Sequence, residues 1–222
     1  MDSLPSYVSL IFVLTTFLSL GLLFTGTGRS KKVFGIAILW LLIQGLIASS
    51  DFYLESTSIP PRFVLLVWPP LILILGLFVS KKGRAFIDSC DVKMLTWLHI
   101  VRVPVEIVLY WLFIYKMVPQ LMTFEGRNFD ILAGLTAPFI VYFGYIKKSI
   151  GKKTLLAWNF ICLALLINIV VNAILSAPFA TQQFAFDQPN IAVLYWPFVW
   201  LPAFVVPVVL FAHLVSIRKL LT

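Results

Sequence analysis

Seven long apolar runs divide the chain, and that division constrains its fold more than any other feature. A hydrocarbon core about 30 Å thick needs about 20 apolar residues of helix, within a range of about 17–25. Runs of that order extend approximately over residues 5–25, 33–53, 62–79, 94–118, 129–146, 154–176 and 191–216. Lipid offers no partner to a backbone N–H or C=O, so such runs must be helices. Strands of a membrane barrel would be about 10 residues long and alternate polar with apolar. The expected fold is therefore all-α: one domain over residues 1–222, built as a seven-transmembrane-helix bundle. The least secure spans are the third, with Pro69-Pro70 in its middle, and the short fifth.

Composition excludes the alternatives. The chain has 222 residues, 61% hydrophobic and 12% charged, against about 45–50% and 25% in an ordinary soluble domain. One soluble core of this size cannot hide so much apolar surface. A soluble enzyme, a disordered tail, a coiled coil and a disulfide scaffold are all excluded. The N-terminus, Met1-Asp2-Ser3-Leu4-Pro5, carries no basic residue. The run after it exceeds the 7–15 residues of a signal-peptide core, so it is expected to be a first span.

The net charge of +8 raises the question of nucleic acid, but no base-reading or phosphate-tracking module is present. The basic residues instead cluster between alternate runs. Arg29, Lys31 and Lys32 follow the first, Lys81, Lys82, Arg84 and Lys93 the third, and Lys147, Lys148, Lys152 and Lys153 the fifth. Arg218 and Lys219 close the chain, so thirteen of the 17 basic residues fall on one side. By the positive-inside rule the N-terminus is outside and the C-terminus cytoplasmic. Asp2, Asp51, Glu55, Glu125, Asp130 and Asp187 then fall at the outer face. The short loops favour the inner membrane of a bacterium. Expected partners are the bilayer and a small solute or proton; the sequence neither requires nor supports a homo-oligomer. Cys90 and Cys162 show no metal-ligand spacing and are not expected to form a disulfide on the cytoplasmic side.

Ionisable residues inside a span need a partner, a cavity or a function. The fourth run carries His99, Arg102, Glu106 and Tyr110. At about 100° per residue these fall on one face about 80° wide, with Glu106 near mid-bilayer. Pro104 removes a backbone donor beside them. Two readings fit. Arg102 and Glu106, four residues apart, either neutralise each other and bolt helices together, or Glu106 binds or relays a proton or cation while Arg102 tunes its charge. The second run repeats the pattern with Gln44, Asp51 and Glu55. These residues either sit at the outer headgroups or face the fourth run across a polar cavity. The segment Phe124-Glu125-Gly126-Arg127-Asn128-Phe129-Asp130 reads either as a solvated loop or as the lid of that cavity, with Asn128 or Asp130 capping the fifth span. Asn168, Asn172 and Ser176 read as interhelical glue.

The two histidines, His99 and His213, fall at comparable depth and could meet, which is the arrangement a b-type haem needs. An isolated buried histidine has a simpler reading as a satisfied core residue, and neither a cofactor nor a metal is expected. Arg102, between His99 and Glu106, argues against a metal on that stripe. No Gly-x-Ser-x-Gly, His-Glu-x-x-His or P-loop pattern occurs. The seven-span, N-outside plan is similar to that of retinal proteins and of the large eukaryotic receptor class. The seventh run lacks the lysine a retinal Schiff base requires, and no receptor motif matches.

Three function classes follow. A small-solute or proton-linked transporter would place Glu106 in a cavity with Asp51 or Arg127 at its mouth. A structural, assembly or receptor-like protein would pack the Arg102–Glu106 pair fully. A lipid-modifying enzyme would show a lateral opening, though no catalytic residue can be named. Transport is the first expectation, because the polar stripe reaches mid-bilayer and no catalytic set does. Its candidate residues are Gln44, Asp51, His99, Arg102, Glu106, Tyr110, Glu125, Arg127 and Asp130.

Overall fold

The computed structural model describes residues 4–55, 57–58 and 60–222. Asp2, expected at the outer face, lies outside them, as do Met1 and Ser3. Among the described residues the chain is helical, without a strand. The helices are α1 (Ser6–Gly26), α2 (Lys31–Ala48), α3 (Val64–Val79), α4 (Lys81–Ser89), α5 (Val92–Ile114), α6 (Ile131–Ile146), α7 (Lys152–Leu175) and α8 (Leu201–Leu221). Five of them, α1, α2, α5, α7 and α8, are long and apolar enough to cross a membrane. At 1.5 Å per residue α3 and α6 are each about 24 Å long, short of a full hydrocarbon core.

Their shortness has visible causes. α3 carries Pro69 and Pro70 internally and ends at Ser80, where the axis turns 94° into α4. The Ser80 hydroxyl accepts from the Gly83 amide at 3.0 Å and starts α4. A Cβ on Gly83 would lie 2.2 Å from the Leu77 carbonyl oxygen, so only glycine fits this bend. α4 exposes Lys81 and Lys82 and buries Ile87, as expected of a helix lying along an interface. Its far end is pinned to α8: Arg218 Nε and Nη2 donate to the two Asp88 carboxylate oxygens at 3.0 and 3.2 Å. Lys219 donates to the carbonyls of Asp88 and Cys90 at 2.9 and 2.8 Å.

α5 and α8 form the centre. α5 contacts α1, α6 and α8, while α7 packs along α8. α2 lies against α1 and the start of α8, and α3 against α4 and α8. The core joins residues of these helices, such as Phe12, Leu98, Leu112, Phe204 and Val215. Large apolar side chains also point outward, among them Leu14, Leu39, Leu46, Ile72, Phe139 and Ile161. Such a belt suits a lipid solvent and no aqueous one.

Three expected boundaries are corrected. The second span was expected to reach Tyr53, but α2 ends at Ala48. Ser49 and Ser50 turn their hydroxyls back onto the carbonyls of Gly45 and Ile47, competing with the helix, and Asp51 adopts a left-handed conformation at φ 56°. The fourth was expected to reach Val118, but α5 ends at Ile114 and Lys116 takes φ 58°. The seventh was expected from Ile191, but α8 begins at Leu201. Residues between them form a short 3-10 turn at Ala192–Leu194 and a prolyl stretch through Pro197.

The segments 115–130 and 176–200 do not lie on the surface as ordinary loops do. Val118, Met122, Thr123, Asn128, Ala177, Asn190, Ala192 and Phe198 are buried. Buried backbone needs partners, and side-chain amides supply many of them. Gln188 donates to the carbonyls of Phe113 and Val118, Asn190 to Ala173, Asn168 to Arg127, and Asn128 to Met122. The amides of Ile191 and Ala192 both donate to the Met117 carbonyl. Together the two segments plug one end of the bundle.

Candidate functional site

The His99–Arg102–Glu106 face of α5 turns inward, as its spacing predicts. A 3-10 turn at His99–Val101 leads into the α-helical part of α5 at Arg102. His99, Arg102 and Glu106 are almost fully buried. The partner of Arg102 is not Glu106. Its Nη1 lies 3.0 Å from Asp130 Oδ1, with side-chain exposures of 2% and 7%. The Arg102–Glu106 pair is thus replaced by an ion pair between α5 and the residue that precedes α6.

This pair locates the entry to α6. α5 continues twelve residues, about 18 Å, past Arg102, so Asp130, which touches the Arg102 side chain, lies well below the tip of α5. The segment before α6 therefore descends into the bundle, and α6 is short because its first turns are replaced by that descent. Close approach is enabled by Gly134. A Cβ there would meet Val103 Cγ2 at 2.8 Å, the Val103 amide nitrogen at 3.0 Å and Arg102 Cβ at 3.2 Å.

Arg102 makes two further contacts. Nη1 donates to the Cys162 carbonyl of α7 at 3.3 Å, and Nη2 lies 3.0 Å from His213 Nε2 of α8. A guanidinium only donates, so His213 Nε2 accepts. His213 Nδ1 lies 3.0 Å from Asn159 Oδ1, and Asn159 Nδ2 donates to the Leu155 carbonyl at 2.9 Å, which fixes the amide's orientation. The imidazole is thus the neutral Nδ1–H tautomer, held between α7 and the guanidinium. One side chain ties together α5, the approach to α6, α7 and α8.

His99 and His213 do meet, with ring centroids 3.9 Å apart and planes at 22°. Trp158 stands edge-on to His99 at 5.4 Å, and its indole donates to the Thr136 hydroxyl at 2.9 Å. The stacked rings leave no room for a macrocycle between them, so the bis-imidazole haem arrangement does not fit. Among the described residues neither His99 ring nitrogen has a hydrogen-bond partner. Among the described residues no three His, Cys, Asp or Glu converge on a common point.

Glu106 lies one turn beyond Arg102. Asn128 Nδ2 donates to its Oε1 at 2.5 Å and to the Met122 carbonyl at 3.0 Å, while Asn128 Oδ1 accepts from the Asp130 amide at 3.0 Å. Asn128, not Asp130, thus caps the approach to α6. Glu106 Oε2 is buried with no partner among the described residues. The cluster holds one guanidinium and two carboxyl groups, with Asn128 joining the Asp130 backbone to Glu106. The comparable depth of His99 and His213 predicts their meeting, whereas nothing local to Asn159 marks it as a partner of His213.

The other candidates lie elsewhere. Tyr110 is half-buried and stacks on Phe124 at 5.0 Å. Gln44 is buried, and its Oε1 accepts from the Tyr53 hydroxyl at 2.5 Å. Asp51 is exposed, beyond the end of α2. Glu55 is outside any helix and accepts from the Thr57 hydroxyl and amide, which hold its carboxyl below the usual range. Glu125 and Arg127 are exposed, with Arg127 5.7 Å over the Phe184 ring. The polar stripe expected along the second span is broken at Ala48, and Gln44, Asp51, Glu125 and Arg127 do not join the buried cluster. An apolar groove of about 520 Å³ lies instead between α2 and α3, with α8 as its floor, and none of the nine candidates lines it.

The family model of the domain of unknown function DUF8737 matches residues 59–221, which include the whole cluster. No curated protein and no solved structure matches the chain.

Proposed function

We propose that this chain, which belongs to the DUF8737 family, is a small proton-linked transporter in which Glu106 takes up and releases the proton. It is read as a multi-pass protein of the bacterial inner membrane with seven spans, α3 and α6 completing the set. Its N-terminus is outside and its C-terminus cytoplasmic, since the basic clusters flank α2, α4, α7 and the end of α8. The single observation that carries the reading is Glu106 itself, buried one turn from the Arg102–Asp130 pair with one carboxylate oxygen unpartnered among the described residues. An ionisable group retained at that depth, against a cost of a few kcal/mol, is a functional candidate by default. Asn128 grips it from the inserted segment, so movement of that segment would couple protonation to access.

The test is uptake into proteoliposomes under an imposed proton gradient, across a panel of small solutes. Glu106→Gln keeps an acceptor for Asn128 and should fold while losing gradient-driven uptake. A second reading, a structural lock, is favoured by Arg102 alone bridging four elements. That reading stands if Glu106→Gln leaves every uptake unchanged while Arg102→Ala abolishes folding.

A further inference from the structure

We propose that the groove between α2 and α3 is a binding site for one acyl chain of an anionic phospholipid, whose headgroup is held at Lys32. The inference goes beyond the proton reading and does not depend on it. The groove of about 520 Å³ is walled by Ile36, Trp40 and Ile43 of α2 and by Pro70 and Leu73 of α3. Its floor is α8, and the Trp40 indole donates to the Ala203 carbonyl there at 2.9 Å. From Lys32 to Ile43 it runs about 16 Å at 1.5 Å per residue, close to one leaflet of a hydrocarbon core about 30 Å thick. Its length and its almost wholly apolar lining suit one alkyl chain.

Charge gives it direction. Among the described residues Lys32 is the one charged residue lining the groove. Lys31 precedes it, and α4, whose Phe86 also lines the groove, exposes Lys81 and Lys82. The nearest carboxylate on α4, Asp88, is already engaged by Arg218. Basic residues at the mouth of an interhelical groove select anionic headgroups, each gaining about fivefold in affinity near the surface.

The experiment is native mass spectrometry of the full chain released from mild detergent, after equilibration with phosphatidylglycerol or phosphatidylcholine of the same chains. The wild type should retain one lipid and prefer phosphatidylglycerol. Lys32→Gln should lower that preference about fivefold. Leu73→Trp, which fills the groove from an exposed position, should reduce retention of both lipids; Ile36→Trp serves if that variant fails to fold. Lys152→Gln, at a basic residue that does not line the groove, should change nothing. Equal loss in Lys152→Gln, undiminished retention in both filling variants, or a two-copy mass that the filling variants return to one copy would overturn the proposal.

Discussion

Arg102 and Asp130 lie 3.0 Å apart with both side chains almost sealed from solvent, joining the middle of α5 to the entrance of α6. Neither charge has an escape to water, so each depends on the other. Removing one partner of such a pair costs about 3–5 kcal/mol, because the survivor is left uncompensated. Arg102→Met should therefore lower thermal stability in detergent severely. Arg102→Met combined with Asp130→Leu should recover most of that loss, since an apolar replacement of the whole pair is close to neutral. Unfolding followed by intrinsic tryptophan fluorescence reads both.

Gly134 faces the backbone of Val103 and Cβ of Arg102. A methyl group at this position has no flexible neighbour to displace, because one of the obstacles is main chain. Gly134→Ala should cost about 1–3 kcal/mol, the range for overpacking, and should part α6 from α5. Asn128 and Asp130 would be drawn away from Glu106 and Arg102. Hydrogen exchange should accelerate across residues 117–133 more than in α7.

Asp88 and Arg218 anchor α4 to the end of α8 at the surface. The hydrogen bonds from Arg218 hold the Asp88 carboxyl below its usual range. A depressed carboxyl contributes stability that is complete above its unfolded value and disappears as pH falls through the folded one. Protease access to residues 81–89 should therefore rise as the solution is acidified below about pH 4. Asp88→Asn should show that higher access at neutral pH and lose the dependence. High salt should mimic the variant, since the pair is exposed.

The residues legible in sequence and those that were not differ for a physical reason. The face shared by His99, Arg102 and Glu106 follows from helical periodicity alone, and the structure buries all three. The seven apolar runs likewise correspond to α1, α2, α3, α5, α6, α7 and α8. The partners were not legible, because they are set by contacts distant in sequence. Asp130 and His213 reach Arg102 directly and Asn159 reaches it through His213, from three other elements, and nothing local to them announces it. The nearest rule in sequence, a pairing four residues apart, pointed to Glu106 and was overridden by packing. Apolar content also misplaced three boundaries. Residues 191–200 are apolar enough to extend α8, yet their backbone groups are satisfied by Met117 and by turns. Hydropathy reports that a segment is buried; it does not report whether its hydrogen bonds are helical.

The most direct measurement is the infrared difference spectrum of the carboxyl C=O band in reconstituted protein, recorded as pH is stepped. A buried carboxyl band should appear and disappear reversibly with pH, be absent in Glu106→Gln and survive in Asp130→Asn. A spectrum without a titrating buried carboxyl, or one whose band is lost only in Asp130→Asn, would contradict the proton reading of Glu106.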